Sequence, residues 1–231
     1  MKLAIVVLGL TAATMAAARA DSVIVQKVEG AGQSGQMTVE IKGTLIRTDI
    51  SPTVTTLTDT ATGTVTTLLR PQKVYIQMSA QAMAPLLRKM RQQPEPGPAA
   101  ATATLEATGH HEKVNGYDTE VYVVRNGALK TSYWIARDYP DAARLLGLFK
   151  QLQNTALSAM AREMAPQPAE LPGVPVKTEM ETAPGRKITT TLISVKEQAL
   201  PDADFAIPPG FKALPAPSFG APSPASPSPS T

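Results

Sequence analysis

The two histidines of the chain, His110 and His111, stand side by side and are followed by Glu112. On a strand, neighbours point to opposite faces, so the two imidazoles cannot readily share a metal ion. His110 and Glu112 share a face, but two ligands are too few for a zinc site. A serine nucleophile needs a histidine base and an orienting acid, and the chain contains no Gly-x-Ser-x-Gly elbow. There is no cysteine, which excludes thiol nucleophiles, thiolate metal sites and disulfides. Gly30, Gly32 and Gly35 fit a hairpin turn better than a phosphate-binding loop. Paired-carboxylate chemistry would need two converging acids, and no pair is singled out. The expectation is a protein with no catalytic residue, no metal and no cofactor.

The apolar residues are more informative. Met78, Met83, Met90, Met160 and Met164 gather on or beside two helical patterns. Methionine adapts to irregular apolar partners, so these side chains fit either ordinary core filling or a deformable lining for a ligand. Tyr75, Tyr122, Tyr133 and Trp134 carry the same two readings.

The elements that would position these residues follow from periodicity. Met83, Leu86, Leu87 and Met90 recur at i, i+3, i+4, i+7, one face of a helix. Proline is tolerated only in a first turn, so this helix is expected to start near Pro85. A second helix is expected from about Pro140 to Met164, with Leu145, Leu148, Phe149, Leu152, Ala156, Met160 and Met164 as its apolar stripe. At 1.5 Å per residue it would run roughly 35 Å. Elsewhere the period is two. Met37, Val39 and Ile41 alternate with Thr38, Glu40 and Lys42, and Val174, Val176, Thr178 and Met180 alternate with Lys177, Glu179 and Glu181. Further strands fit 22–29, 44–50, 53–59, 64–70, 72–78, 103–114, 117–125, 128–137 and 187–197. Asn115-Gly116 and Asn126-Gly127 are type I′ hairpin signals that join three of them. Strands in series with two interposed helices predict a mainly β (α+β) fold: a large curved antiparallel sheet forming an incomplete barrel, with two helices packed on its concave face.

Residues 1–20 read as a cleavable export signal. Lys2 precedes the apolar run Leu3–Leu10, and Ala18-Arg19-Ala20 places small residues at the cleavage site. The run is too short to span a bilayer, and the mature chain contains no longer one. Removing this segment takes two positive charges and no acid from a chain of formal charge +3, leaving about +1. No clustered basic face points to nucleic acid. Residues 21–212 are expected to form one domain, and 213–231, rich in proline and serine, a disordered tail. The protein is expected outside the cytoplasm, in the periplasm or secreted, as a monomer.

Three segments carry a family resemblance. Gly116-Tyr117-Asp118-Thr119-Glu120-Val121-Tyr122 follows an Asn-Gly turn, the next strand ends Tyr133-Trp134-Ile135-Ala136-Arg137-Asp138, and Phe205-Ala206-Ile207-Pro208-Pro209-Gly210-Phe211-Lys212 closes the domain. In this order they resemble an uncharacterised family of secreted bacterial proteins, domain of unknown function 4412, and more distantly the outer-membrane lipoprotein carriers. The latter likeness implies a half-open barrel with helices as a lid over an apolar cavity. The chain departs from the carriers by entering strand without a leading amphipathic helix, and no lipid-contacting residue is carried over. Strand order, methionine-rich helices and this resemblance together lead to the expectation of a non-enzymatic binding protein for an acyl chain, lipid or lipoprotein, and the chain's own apolar stripes and aromatic residues offer Met83, Leu87, Met90, Trp134, Leu145, Phe149, Leu152 and Met160 as its lining. The other reading is an envelope protein-interaction or structural module with a filled core.

Leu152→Ala and Phe149→Ala separate a structural plug from a lid. A plug predicts a loss of roughly 2–5 kcal/mol for Leu152→Ala through cavity formation. A lid predicts a smaller loss and a changed affinity for an apolar probe. Chemical denaturation and probe titration read both, and a large loss with no probe binding in parent or variants sinks the lid.

Overall fold

The computed structural model describes residues 21–30, 33–84, 104–126, 129–153, 171–183 and 186–215. The expected signal segment, most of the expected tail, and Leu87, Met90 and Met160 lie outside them. Twelve strands form one sheet: β1 (Ser22–Gly30), β2 (Gln33–Lys42), β3 (Leu45–Ser51), β4 (Val54–Asp59), β5 (Thr64–Leu69), β6 (Val74–Met78), β7 (Glu106–Val114), β8 (Tyr117–Asn126), β9 (Leu129–Ala136), β10 (Val174–Ala183), β11 (Arg186–Glu197) and β12 (Lys212–Leu214). Their spatial order is β12-β6-β5-β4-β3-β2-β1-β11-β10-β9-β8-β7. The sheet is thus two meanders, β1–β6 and β7–β11, fused where β11 pairs antiparallel with β1. It does not close, because β7 and β12 form separate edges. The mainly β, incomplete-barrel expectation holds.

Local sequence explains the turns. Asn115 and Gly116 take φ of 50° and 86°, the left-handed pair that a type I′ turn requires. Gly63 turns between β4 and β5 at φ 67°, and a Cβ there would fall 2.8 Å from that of Ala80, so glycine is needed twice over. Two helical segments interrupt the strands. The first, α1, is helical over the described residues 80–84. It starts before Pro85, the expected start. Ser79 is the reason: its hydroxyl accepts from Ala82 N at 3.2 Å and its carbonyl from Met83 N at 3.1 Å, which satisfies donors of the first turn. The second, α2, spans Ala142–Gln153; Pro140 and Asp141, at its expected start, form a turn before it, and the expected residues 154–164 lie outside the described residues.

β10 departs from strict alternation. In β10 the register with β9 shifts between Pro175 and Lys177, so that Val174 faces Ala136 and Lys177 faces Trp134. Ala136 and Trp134 share a face, and so therefore do Val174 and Lys177. The inserted residue, Val176, is buried as well. A β-bulge puts two residues opposite one and reverses the pattern beyond it. Lys177 thereby rests its Nζ 3.9 Å from the centre of the Trp134 ring instead of facing away.

A second bulge shapes the whole sheet. Val25 pairs with Ser194 and Gln26 with Leu192, leaving Ile193 unpaired and exposed. The carbonyl of Leu192 accepts a hydrogen bond of 2.7 Å from Asn115 Nδ2, at the tip of the β7–β8 hairpin. In a flat sheet β8 and β11 would be three spacings, about 14 Å, apart. The contact requires the β7–β10 arm to curl back over β11. It curls toward α2, since Val114 and Tyr117 of the same hairpin pack in the cluster that holds Leu145. Ile24, Val39, Ile41, Ile46, Val174 and Leu192 complete the floor of that cluster.

The opposite face carries other cover. The segment after β11 crosses β2 and β3. Lys42 Nζ donates to Leu200 O at 2.5 Å and pairs with Asp202 at 2.7 Å, and Arg47 donates to Asp204 O at 3.3 Å. Beneath it Asp49 accepts from Arg47, Arg70 and Thr55. Burial pushes the neighbouring Glu40 carboxyl above its usual range despite Arg47 at 3.8 Å. The segment ends as β12, parallel to β6, which carries the sheet two residues past the boundary expected at 212. On the second arm Tyr122, Val124, Tyr133 and Ile135 form a cluster with Leu105 and Leu171, and burial pushes the Tyr133 phenol up to about 12.

Two outcomes follow from this packing. Leu145 is 2 % exposed at the centre of the concave cluster, and Leu145→Ala is expected to cost about 2–5 kcal/mol in chemical denaturation. Glu120 accepts from Tyr122 Oη at 2.6 Å and from Arg137 at 3.0 Å, and these contacts, Tyr122 first, hold its carboxyl below the usual range. The unfolded chain therefore binds the proton first as pH falls, so this contribution is present above the ordinary carboxylate range and lost as pH drops through the lowered value. Tyr122→Phe should be less stable than the parent at neutral pH and should lose less on going from about pH 5 to about pH 3. Equal acid slopes for the two proteins would refute this account of Glu120.

Candidate functional site

The structure brings four of the eight expected lining residues together. Leu145 is buried in the concave cluster, and Trp134, Phe149 and Leu152 pack against it. Met83 is 1 % exposed at the start of α1. Leu87, Met90 and Met160 lie outside the described residues. Trp134 has one unusual feature: its Nε1 is buried and has no hydrogen-bond partner, a donor left in an apolar setting.

The histidine segment is built differently. β7 is an edge strand whose residues from Glu106 to His111 are exposed. His110 Nε2 lies 3.6 Å from Glu112 Oε2, and Glu112 Oε1 lies 3.5 Å from Lys177 Nζ. Charged side chains on an open edge oppose pairing with another chain. Among the described residues no group of three or more His, Cys, Asp or Glu side chains is placed to hold a metal ion.

The open space lies along α2. A cleft of about 480 Å³ separates the helix from the ends of β1, β2 and β11, lined by Ser22, Ile41, Ala143, Arg144, Gly147, Leu148, Gln151 and Glu197 among others. A smaller one of about 200 Å³ adjoins the start of the helix, where Tyr117, Tyr139 and Val195 contribute. The two share Arg144 and Leu148. Tyr117 and Tyr139 place their ring centres 4.7 Å apart, and burial first, then Tyr117, raises the Tyr139 phenol. Two further clefts of about 350 Å³ each flank the segment that crosses the opposite face. The first of these is lined by four threonines, Asp59 and Gln77 together with Leu45, Ile46, Leu57, Phe205 and Ile207.

Polar contacts hold α2 off the sheet at this cleft. Arg144 donates to Ser22 Oγ at 2.9 Å and pairs with Glu197 at 2.8 Å. Two turns further along the same face, Gln151 donates to Gly43 O at 2.6 Å. Between them stands Gly147, and among the described residues nothing lies within 4 Å of where its Cβ would be. A mid-helix glycine costs up to about 1 kcal/mol relative to alanine. No close approach of another described segment accounts for that cost. The result is an elongated space with apolar walls at Ile41, Ala143 and Leu148 and a guanidinium along one side.

Sequence reasoning missed Arg144, Gly147, Gln151, Ser22 and Glu197. Gly147 was the available signal, as the single glycine within a strongly helical run, Ala142–Gln153. The partners on β1 and β11 carry no signal, because only the curl of the sheet brings them to the helix.

Comparisons with known proteins come to a family without a described function. No curated protein matches the chain significantly. Among solved structures, PNGF-II in a C2 crystal form matches 85 % of this chain at 12 % identity and a TM-score of 0.39, and the chain spans about a third, 31 %, of that protein. MucB in complex with periplasmic MucA matches 82 % of this chain and 55 % of its own at 12 % identity and a TM-score of 0.34. A DUF1329 family protein from Desulfovibrio piger matches 80 % and 89 % at 10 % identity and a TM-score of 0.26. The family profile described as Domain of unknown function (DUF4412) matches residues 23–211, which takes in eleven of the twelve strands and both helices. The chain belongs to the DUF4412 family.

Proposed function

We propose that this protein is a non-enzymatic binding protein, exported to the periplasm or secreted, that holds a hydrophobic ligand such as an acyl chain or a lipid between α2 and the curled sheet. The observation that carries this reading is the cleft of about 480 Å³ beside α2, where Gly147 leaves open space. Its size falls within the range of small-molecule sites, roughly 300–1,000 Å³. Trp134, whose Nε1 has no hydrogen-bond partner among the described residues, and Phe149 of α2 pack against the cluster beneath that helix. Export is supported by the leader-like residues 1–20, and among the described residues no helix is long and apolar enough to cross a membrane.

A second reading has its own observation. The cluster beneath α2 is filled by buried side chains, Ile24, Val174 and Val176 among them at 0–1 % exposure, as a solid plug would be. On that reading the protein is an envelope interaction or structural module.

Native mass spectrometry of protein taken from its own host's envelope separates the two. Bound lipid is expected, and so is displacement of an apolar dye by fatty acids. Trp134 is the single tryptophan of the chain and packs against the cluster that holds Leu145, so its emission reports changes in the packing of that cluster. Gly147→Phe should fill the cleft and weaken dye binding by about tenfold or more. Gly147→Ala should stabilise the fold by up to about 1 kcal/mol, since its Cβ meets open space. Absence of lipid and of dye binding in the parent would leave the structural module.

A further inference from the structure

Among the described residues that line the two clefts along α2, Arg144 is the one cation, and it lines both. Its surroundings are not those of a fixed structural ion pair. The Arg144 side chain is 35 % exposed, and its counter-ion Glu197 is 55 % exposed near the end of β11. The other partner, Ser22 Oγ, is buried and accepts from Arg144, which leaves the serine O–H free to donate. The first turn of α2 carries no acidic residue, and the carboxylate nearest its N-terminus is Asp141, the residue just before it. Asp141 lines the smaller cleft alone.

We propose that the ligand of this cleft is a single-chain amphiphile with an anionic head, a carboxylate or a phosphate monoester. Its head takes the place of Glu197 on Arg144, and its chain runs past Leu148 and Gly147. This rests on the reading of the cleft as a hydrophobic-ligand site. The exchange is anion for anion, so Arg144 is never left unpaired. Glu197, already half in solvent, returns to water at little cost, as exposed pairs contribute little. The guanidinium presents a planar fork that matches either oxyanion, and the Ser22 hydroxyl supplies a further donor. A neutral head of the same chain length would leave Glu197 in place and forgo these bonds.

Displacement of an apolar dye from the full-length protein by dodecanoate, dodecyl phosphate and dodecanol, each below its micelle concentration, tests the assignment. The anions are expected to compete about tenfold better than dodecanol. Arg144→Gln should bring them down to the level of dodecanol. Glu197→Gln, which removes the competing carboxylate and keeps the shape, should tighten the anions by about two- to fivefold, the range of an exposed ion pair. Arg144 also ties α2 to β1 and β11, so Glu197→Gln provides the test should Arg144→Gln fail to fold. A preference for one anion over the other keeps the proposal and identifies the head. Equal competition by all three compounds in the parent, or no gain on Glu197→Gln, overturns the anionic head while the apolar cleft stands. Failure of all three to displace the dye overturns both.

Discussion

The pairing of β1 with β11 is the constraint on which the rest of the molecule depends. It fuses two meanders that would otherwise be separate sheets, each with a naked hydrophobic edge. Ile24 is fully buried at this seam, flanked by Val39 on β2 and Val195 on β11. The bulge at Ile193 sits within the same ladder and frees the Leu192 carbonyl that Asn115 captures. Seam and curl are thus set by one stretch of β11. The position of α2 follows, because Arg144 spans the seam, touching Ser22 on β1 and Glu197 on β11.

Much of this was legible in the sequence. The alternation along β2, the threonine-rich run of β4 and β5 and the Asn115-Gly116 turn are local properties, and local properties can be read from a single chain. The side of the sheet on which a residue lands is not local once a bulge intervenes. Lys177 read as solvent-facing because it alternates with Val174 and Val176, and the extra residue in β10 returned it to the concave side beside Trp134. Ser79, a helix cap ahead of an apolar pattern, was a local signal outweighed by Pro85. The candidate cleft was the least legible part. The apolar stripe of α2 identified what the helix buries, and the open space lies along the polar shoulder of that stripe.

The two faces solve the problem of buried polarity in different ways. On the face crossed by the C-terminal segment, Asp49 gathers Arg47, Arg70 and Thr55 into one satisfied network, and Glu40 at its border is left with a raised carboxyl. Near the concave cluster the ion pairs lie to either side: Arg144 with Glu197 on one, Lys177 with Glu112 on the other. Between those pairs the cluster is aliphatic and aromatic. A polar group in that interior has few partners, as the unpaired Trp134 Nε1 illustrates.

The seam also dictates the order in which the chain can become a protein. β1 is the first described strand, and its partner on one side, β11, is nearly the last. Neighbouring hairpins can form early from β2 through β6 and from β7 through β10. The edge of β1 that carries Val23, Ile24 and Val25 stays unpaired until β11 has been made. Such long-range pairing closes slowly, because the entropy of ordering the intervening chain is lost before the contact forms. A half-built sheet with an open apolar edge is the species most prone to join a second chain. Synthesis and any passage across a membrane therefore favour keeping this polypeptide extended until its C-terminal third is released.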